Sequence, residues 1–298
     1  MKIAVTGHLG TVGVPLVRAL TAAGHEVTGI DSRHSATGVR ADVADYRQLE
    51  RAVPKDTELL YHLAAEFGRH NGEDYYEHVW RTNATGTKNV LTLQRDRGFK
   101  LAFASSSEVY GERDGLLSED LTLSPLYLTN DYAISKLVNE AQIANAAKQW
   151  GNKVMTLRFF NAYGPGEYYT DYRSVVCLFV YRALMGLPIT VYKDYYRAFQ
   201  YIDDMVETLA RIPERFIPGA TVNIAGHEYT SVEYLLDVIR DQVYIPKNSI
   251  TVLPQEQHNV RSKHPDTRLA TALLGHNPQI RIEEGVSRTL SWMSRVYA

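Results

Sequence analysis

The sequence predicts an α/β chain: a doubly wound parallel sheet followed by a smaller C-terminal α/β lobe. Three observations predict it. A glycine-rich turn follows the first apolar run, at Gly7-His8-Leu9-Gly10-Thr11-Val12-Gly13. Short apolar runs then alternate with helical patterns, the rhythm of a parallel sheet with crossover helices. Past about residue 160 that alternation breaks down. The expected division is therefore 1–160 for the sheet domain and 161–298 mainly for the lobe, with the chain crossing between them.

The elements follow in order. KIAVT (2–6) is an apolar run suited to a buried parallel strand. The glycines after it allow a tight turn and close backbone approach, and VPLVRALTAAG continues as a helix whose N-terminus suits a pyrophosphate. Strand, GxxGxxG and helix together predict a Rossmann-type dinucleotide site. The next strand, EVTGID, ends at Asp31. A carboxylate there accepts hydrogen bonds from the adenosine ribose and repels a 2′-phosphate, which favours NAD over NADP. Arg33 stands close enough to accommodate that phosphate, which weakens the preference for NAD without reversing it. Asp42-Val43 follow, with Asp42 either meeting the adenine or standing as an exposed turn acid.

ELLYHLAA (58–65) is the next strand, with His62 a packed strand residue. The segment 66–78 is polar and irregular, and a helix is expected from about Asn83 to Arg97. LAFASSS is a strand ending at Ser105, Ser106, Ser107 and Glu108. Tyr132 and Lys136 share a helix face at YxxxK spacing, and the helix stops at Gly151. An ordinary tyrosine titrates near ~10 and is a poor base, but a neighbouring ammonium stabilises its phenolate. Tyr132 is then a candidate to take a proton from a substrate hydroxyl, with Ser106 a candidate to orient it. KVMTLRF (153–159) is a strand leading into Phe160-Asn161-Ala162-Tyr163-Gly164-Pro165-Gly166. A helix over 174–185, the strand ITVY, the segment RAFQYIDDMVETLARI, the strand TVNIA, a helix over 231–242, the strand ITVLP and a last helix complete the chain.

The totals exclude other classes. The 298 residues are 45% hydrophobic and 22% charged with net charge −2, ordinary globular composition with no basic surplus for nucleic acid or an acidic membrane. The only cysteine is Cys177, so no intrachain disulfide and no thiolate metal cluster is expected. The histidines show no HxxxH or HExxH spacing, and no metal is expected. No run approaches a membrane span and no leader precedes MKIAVTG, so a cytoplasmic protein is expected.

Taken together, TGHLGTVG, Tyr132-Lys136, SSSEVYG, RFFNAYGPG and RAFQYIDDM resemble the extended short-chain dehydrogenase/reductase family, in its NAD-dependent nucleotide-sugar epimerase/dehydratase branch. The resemblance covers essentially the whole chain. It implies an NAD-dependent enzyme, with the cofactor held at Gly7, Gly10, Thr11, Val12, Gly13, Asp31, Asp42, Val43, Leu63, Ala64, Ala65, Tyr132 and Lys136. It implies a catalytic set of Ser106, Ser107, Glu108, Tyr132 and Lys136, in which Lys136 lowers the tyrosine's pKa. Asn161, Arg197 and Arg261 align with groups that hold the diphosphate or nearby nucleotide of a nucleotide-diphosphate sugar. A homodimer built on the helices starting near Asn83 and Tyr132 is implied too.

The reaction after C4 oxidation stays open. Glu108 points toward 4,6-dehydratases and UDP-glucuronate decarboxylases, and RAFQYI looks like the decarboxylase version of its motif. LAAEFGRHNGE and VRSKHPDT depart from those subfamilies toward 3,5-epimerases. Epimerase is the leading expectation, with decarboxylase and dehydratase behind it. A non-catalytic dinucleotide-sensing protein on the same fold is the alternative from another class. Retention of both Tyr132 and Lys136 speaks against it.

Overall fold

The structure is a computed structural model that describes residues 1–297. Seven strands form its main sheet: β1 (Lys2–Thr6), β2 (Glu26–Asp31), β3 (Val39–Arg40), β4 (Leu59–His62), β5 (Lys100–Ser106), β6 (Val154–Phe159) and β7 (Thr221–Ile224). Their order is β7-β6-β5-β4-β1-β2-β3, and every pair is parallel. The direction of winding reverses between β1 and β4. In such sheets the ligand crevice opens at the carboxyl ends of the strands beside that reversal.

Alternation along the strands divides the core in two. Ile3, Val5, Leu59, Tyr61 and Ala102 pack on one face; Ala4, Leu60, Leu101 and Phe103 pack on the other. Helix α1 (Gly13–Ala22) buries Leu16 and Leu20 on the first face. Helices α2 (Gly86–Arg97) and α3 (Asp131–Trp150) bury Val90, Leu91, Ile143 and Ala146 on the second. Helix α3 starts where the Asn130 side chain accepts the Ala133 N–H at 2.8 Å, with Asp131 in its first turn. It stops at Gly151, whose φ of 71° suits a residue without a Cβ.

The first face is not covered by helices of the sheet domain alone. Its core runs without a break into the lobe, through Val180, Leu209, Leu235 and Met293. The seventh strand, β7, also comes from beyond residue 160 and pairs with β6. The chain therefore returns from the lobe to complete the sheet.

Two differences from the sequence reading matter for the site. The polar segment 66–78 is largely helical rather than irregular: helices span Arg69–Asp74 and Tyr76–Val79, then a π-helical turn at Trp80–Thr85 runs into α2. Gly68, at φ 103°, turns the chain into this run. Asn83 ties it down, pairing with both backbone groups of Glu66 at 2.9 Å and donating to Ser135 Oγ of α3 at 2.9 Å. Tertiary hydrogen bonds thus form helix where the apolar periodicity is missing.

Second, the lobe builds a small four-stranded sheet from distant pieces: Tyr229–Ser231, Tyr196–Ala198, Ser262–Pro265 and Leu116–Leu117. In its parallel central pair Arg197 stands directly beside Lys263. Both are buried. Two like charges in register repel each other and need a counter-charge.

Candidate active site

A cleft of about 940 Å³ lies over the carboxyl ends of β1, β4, β5 and β6, between the main sheet and the lobe. Gly7, at φ 73°, passes so close to β4 that a Cβ on it would lie 2.7 Å from the Ala64 N. A Cβ on Gly13 would lie 2.3 Å from the Gly7 carbonyl oxygen. Only glycine allows this tight turn to lead into α1. Gly7, Gly10, Thr11, Val12 and Gly13 line the cleft with Leu63, Ala64, Ala65, Asp42 and Val43. The cradle fits a dinucleotide phosphate at the helix start.

Asp31 closes the far end of this half. Its Oδ2 accepts the Leu9 N–H at 3.1 Å, and its Oδ1 accepts both the backbone N–H and the Nε–H of Arg33, at 3.0 and 3.1 Å. Burial works to raise its carboxyl, but the Arg33 side chain and the backbone donors outweigh that and hold it below the ordinary range. Arg33 thus pairs with Asp31, and its guanidinium stays more than half exposed. Asp42 accepts from Arg81 at 2.8 Å and from the Ala44 N–H at 2.9 Å.

The other half carries the chemistry-bearing groups. Strand β5 ends at Ser106, whose Oγ accepts the Glu108 N–H at 3.2 Å and caps a 3-10 turn over Ser107–Tyr110. This turn aims Glu108 into the cleft, and Ser106, Ser107, Glu108, Tyr132 and Lys136 all line it. Lys136 Nζ donates to the Ala104 carbonyl at 2.8 Å and lies 5.9 Å from the Tyr132 ring centroid. Burial pushes Lys136 down to about 8, against the attraction of Glu140. Burial raises the Tyr132 hydroxyl, the Ser106 hydroxyl opposes the rise, and Glu108 adds to it. Below this layer Glu140 fixes the strand end: it accepts from Ser105 Oγ at 2.6 Å and takes a two-point ion pair from Arg158 at 3.0 and 2.8 Å.

At the lobe side, Glu108 meets the small sheet. Its Oε1 accepts from Lys263 Nζ, and its Oε2 is buried with no partner. Burial would raise this carboxyl, but Lys263, Arg69 and Arg197 outweigh it and hold Glu108 ionised below the usual range. Lys263 is pushed down to about 8, first by burial and then by Arg197 and Arg69, with Glu108 opposing. Arg69 pairs with Glu256 at 3.1 Å, and its other terminal nitrogen, Nη1, is buried and unpartnered. Asn161, at φ 26°, lines the cleft with its Oδ1 buried and unpartnered.

Two substrate-side expectations change. Arg261 lies outside the cleft and is exposed. Its backbone carbonyl, not its guanidinium, takes part, accepting from Arg197 Nη1 at 2.9 Å. Lys263, two residues on and inside the Ser262–Pro265 strand, is the inward cation of that segment. Arg197 does line the cleft, but its terminal nitrogens donate to the Tyr196, Arg261 and Val260 carbonyls and to Asn259 Oδ1, at 2.7 to 2.9 Å. The sequence reading missed Lys263, Arg69 and Glu256. The one signal for Lys263 was a cation ahead of Pro265-Asp266, and VRSKHPDT offers more than one such cation. Among the described residues no three of His, Cys, Asp and Glu gather as a metal site.

The winding of the sheet and the glycine cradle define a dinucleotide-binding α/β enzyme fold. Residues 3–225 match the NAD dependent epimerase/dehydratase family, and the chain belongs to that family. It is 31% identical to UDP-glucuronic acid decarboxylase 1 of Danio rerio, over 99% of this chain and 73% of that protein. It is 27% identical to UDP-N-acetyl-alpha-D-glucosaminuronate decarboxylase of Bacillus cytotoxicus, over 98% of this chain and 97% of that one. Its fold superposes on the structure of MoeE5 in complex with UDP-glucuronic acid and NAD with a TM-score of 0.88, at 27% identity, covering 99% and 100% of the two chains. The chain is an NAD-dependent enzyme of this family.

Proposed function

We propose that the protein is a nucleotide-sugar epimerase that oxidises C4 of its sugar transiently, with Tyr132 receiving the hydroxyl proton. The observation that carries this reading is the meeting of Ser106, Tyr132, Lys136 and Glu108 in the cleft that also holds the glycine cradle. NAD, when bound, supplies the hydride acceptor and returns the hydride, so no net redox change results. Ser106 orients the sugar hydroxyl and opposes the rise of the Tyr132 pKa. Lys136, buried beside both, supplies the positive charge a phenolate requires once its ammonium is turned from Ala104. Asn161 offers an unpaired acceptor to the substrate. Arg197 brings positive charge to the diphosphate side, with most of its donors spent on the small sheet.

A second reading is a nucleotide-sugar decarboxylase. It is supported by the decarboxylase relatives and by an ionised Glu108 among three cations, an arrangement that plain C4 inversion does not require. The substrate class in both readings is a nucleotide-diphosphate sugar, and UDP is favoured by the relatives' names. The single buried Cys177 supports a reducing, cytoplasmic setting.

One incubation tests both. The protein is mixed with UDP-glucose, UDP-galactose, UDP-glucuronate and GDP-mannose in D2O, and products are read by mass spectrometry and proton NMR. Unchanged mass apart from deuterium, with altered ring couplings, is the expected result. Loss of carbon dioxide from UDP-glucuronate installs the second reading instead, and loss of water a dehydratase. No change with any of the four removes the catalytic reading for these donors.

A further inference from the structure

We infer that Arg69 selects a nucleotide sugar that carries a carboxylate on C5, by pairing the free edge of its guanidinium with that carboxylate. The inference rests on the C4-oxidation reading, which sets where the sugar lies, and deepens it by naming the substrate class. Inversion at C4 and decarboxylation both accept such a sugar, and neither by itself gives Arg69 a task.

Arg69 opens the short helix Arg69–Asp74, in the segment LAAEFGRHNGE that departs from the dehydratase and decarboxylase pattern. That helix is docked on the start of α3. A Cβ on Gly72 would lie 2.9 Å from the Tyr132 N, and Glu73 accepts the Asp131 N–H at 2.9 Å. Residues 69 and 72 share a helix face, so the turn that touches Tyr132 also carries Arg69. With the C4 hydroxyl at Tyr132, the acid group of a sugar acid sits on the neighbouring carbon C5, a gap that a side chain as long as arginine spans.

The guanidinium is held with one edge spare. Arg69 lines the cleft and its side chain is 23% exposed. Glu256, from the lobe, accepts from Nη2 at 3.1 Å, and Asn259 donates to the other Glu256 oxygen. This leaves Nη1 buried and unpartnered. A buried charged donor without an acceptor is costly. A neutral hydroxymethyl on C5 brings one oxygen and no charge to it, whereas a carboxylate brings a charge and two oxygens that match the planar fork.

The surrounding charges agree. Arg69, Arg197 and Lys263 face only two carboxylates, Glu108 and Glu256, so this part of the cleft is one negative charge short. Arg197 and Lys263 are already engaged, Arg197 by backbone carbonyls and Asn259 and Lys263 by Glu108. Arg69 acts on Glu108 more strongly than Arg197 does, which supports a place on the sugar side of Arg197.

The test is a calorimetric titration of the whole chain loaded with NAD, in a Tyr132→Phe background that stops turnover during the measurement. The ligands are UDP-glucuronate, UDP-glucose and UDP. With Arg69 in place, UDP-glucuronate should bind roughly 10-fold or more tighter than UDP-glucose. Arg69→Gln should weaken UDP-glucuronate by about 30-fold or more and leave UDP-glucose and UDP within about 3-fold. That variant leaves Glu256 without its cation, so Arg69→Gln/Glu256→Gln removes both charges and should show the same split with an unchanged circular dichroism spectrum. Equal losses for all three ligands overturn the inference and move Arg69 to the diphosphate. Unchanged affinity for UDP-glucuronate in either variant overturns it, and so does equal affinity for the two sugars with Arg69 in place. If none of the three ligands binds, the nucleotide-sugar reading fails and the inference falls with it. The expected binding, with no turnover of UDP-glucuronate once Tyr132 is restored, would fail the C4 reading and leave the carboxylate contact standing.

Discussion

Tyr132 is buried beside Ser106, and its hydroxyl sits above its ordinary pKa. A phenylalanine keeps the ring and removes only the proton acceptor. Tyr132→Phe should lower turnover by about 10²- to 10⁴-fold and leave cofactor affinity within a few-fold, read by fluorescence titration. Retained turnover would remove Tyr132 from the chemistry. His62 makes a different prediction. It sits in β4 between Thr6 Oγ1, at 2.8 Å, and Thr87 Oγ1, at 3.2 Å, and burial lowers its pKa to about 3. The unfolded chain takes up this proton near pH 6.5 while the folded chain refuses it. Stability from His62 is therefore complete above about pH 6.5 and is lost as pH falls toward 3, by on the order of 5 kcal/mol. Urea unfolding between pH 7 and pH 5 should show this slope, and His62→Gln should flatten it. An identical slope in both proteins assigns it to other groups.

Helices α2 and α3 lie side by side on the outer face of the sheet, and α3 exposes two small residues three positions apart, Ala141 and Ala144, along one side. The homodimer expected on this face needs a second pair of helices to approach closely, which small side chains allow. Ala141→Glu should halve the mass seen by light scattering; an unchanged mass removes this interface. The elements also explain what was legible in the sequence. β1, α1, β5 and α3 announce themselves because each carries its own apolar run, glycine turn or cap. The small sheet does not: its strands are two to four residues long and come from four separate segments, so no periodicity in VRSKHPDT chooses Lys263 over Arg261. Arg69 was hidden for a similar reason. Its helix is polar, bounded by Gly68 and Tyr75, and held by Asn83 and by Glu73, which accepts the Asp131 N–H at 2.9 Å.

At the scale of the molecule, the lobe and one sheet face share a single core. A fragment ending at residue 160 would lack β7 and expose Val5, Tyr61 and Leu157, all fully buried in the whole chain. It should remain unfolded or aggregate, seen as collapsed amide dispersion in proton NMR. The whole chain should melt in one calorimetric transition. A well-folded fragment, or two transitions, would instead show two independently folding units. No helix among the described residues is long and apolar enough to cross a membrane. The return of the chain to place β7 also sets a timetable. A ribosome adding roughly 5 to 20 residues per second takes about 3 to 13 s to go from residue 160 to residue 224. For that interval the nascent sheet has six of its seven strands, an open edge at β6 and a bare apolar face. The cofactor half of this protein is made first but finished late, and the waiting time is where chaperones and proteases compete for it.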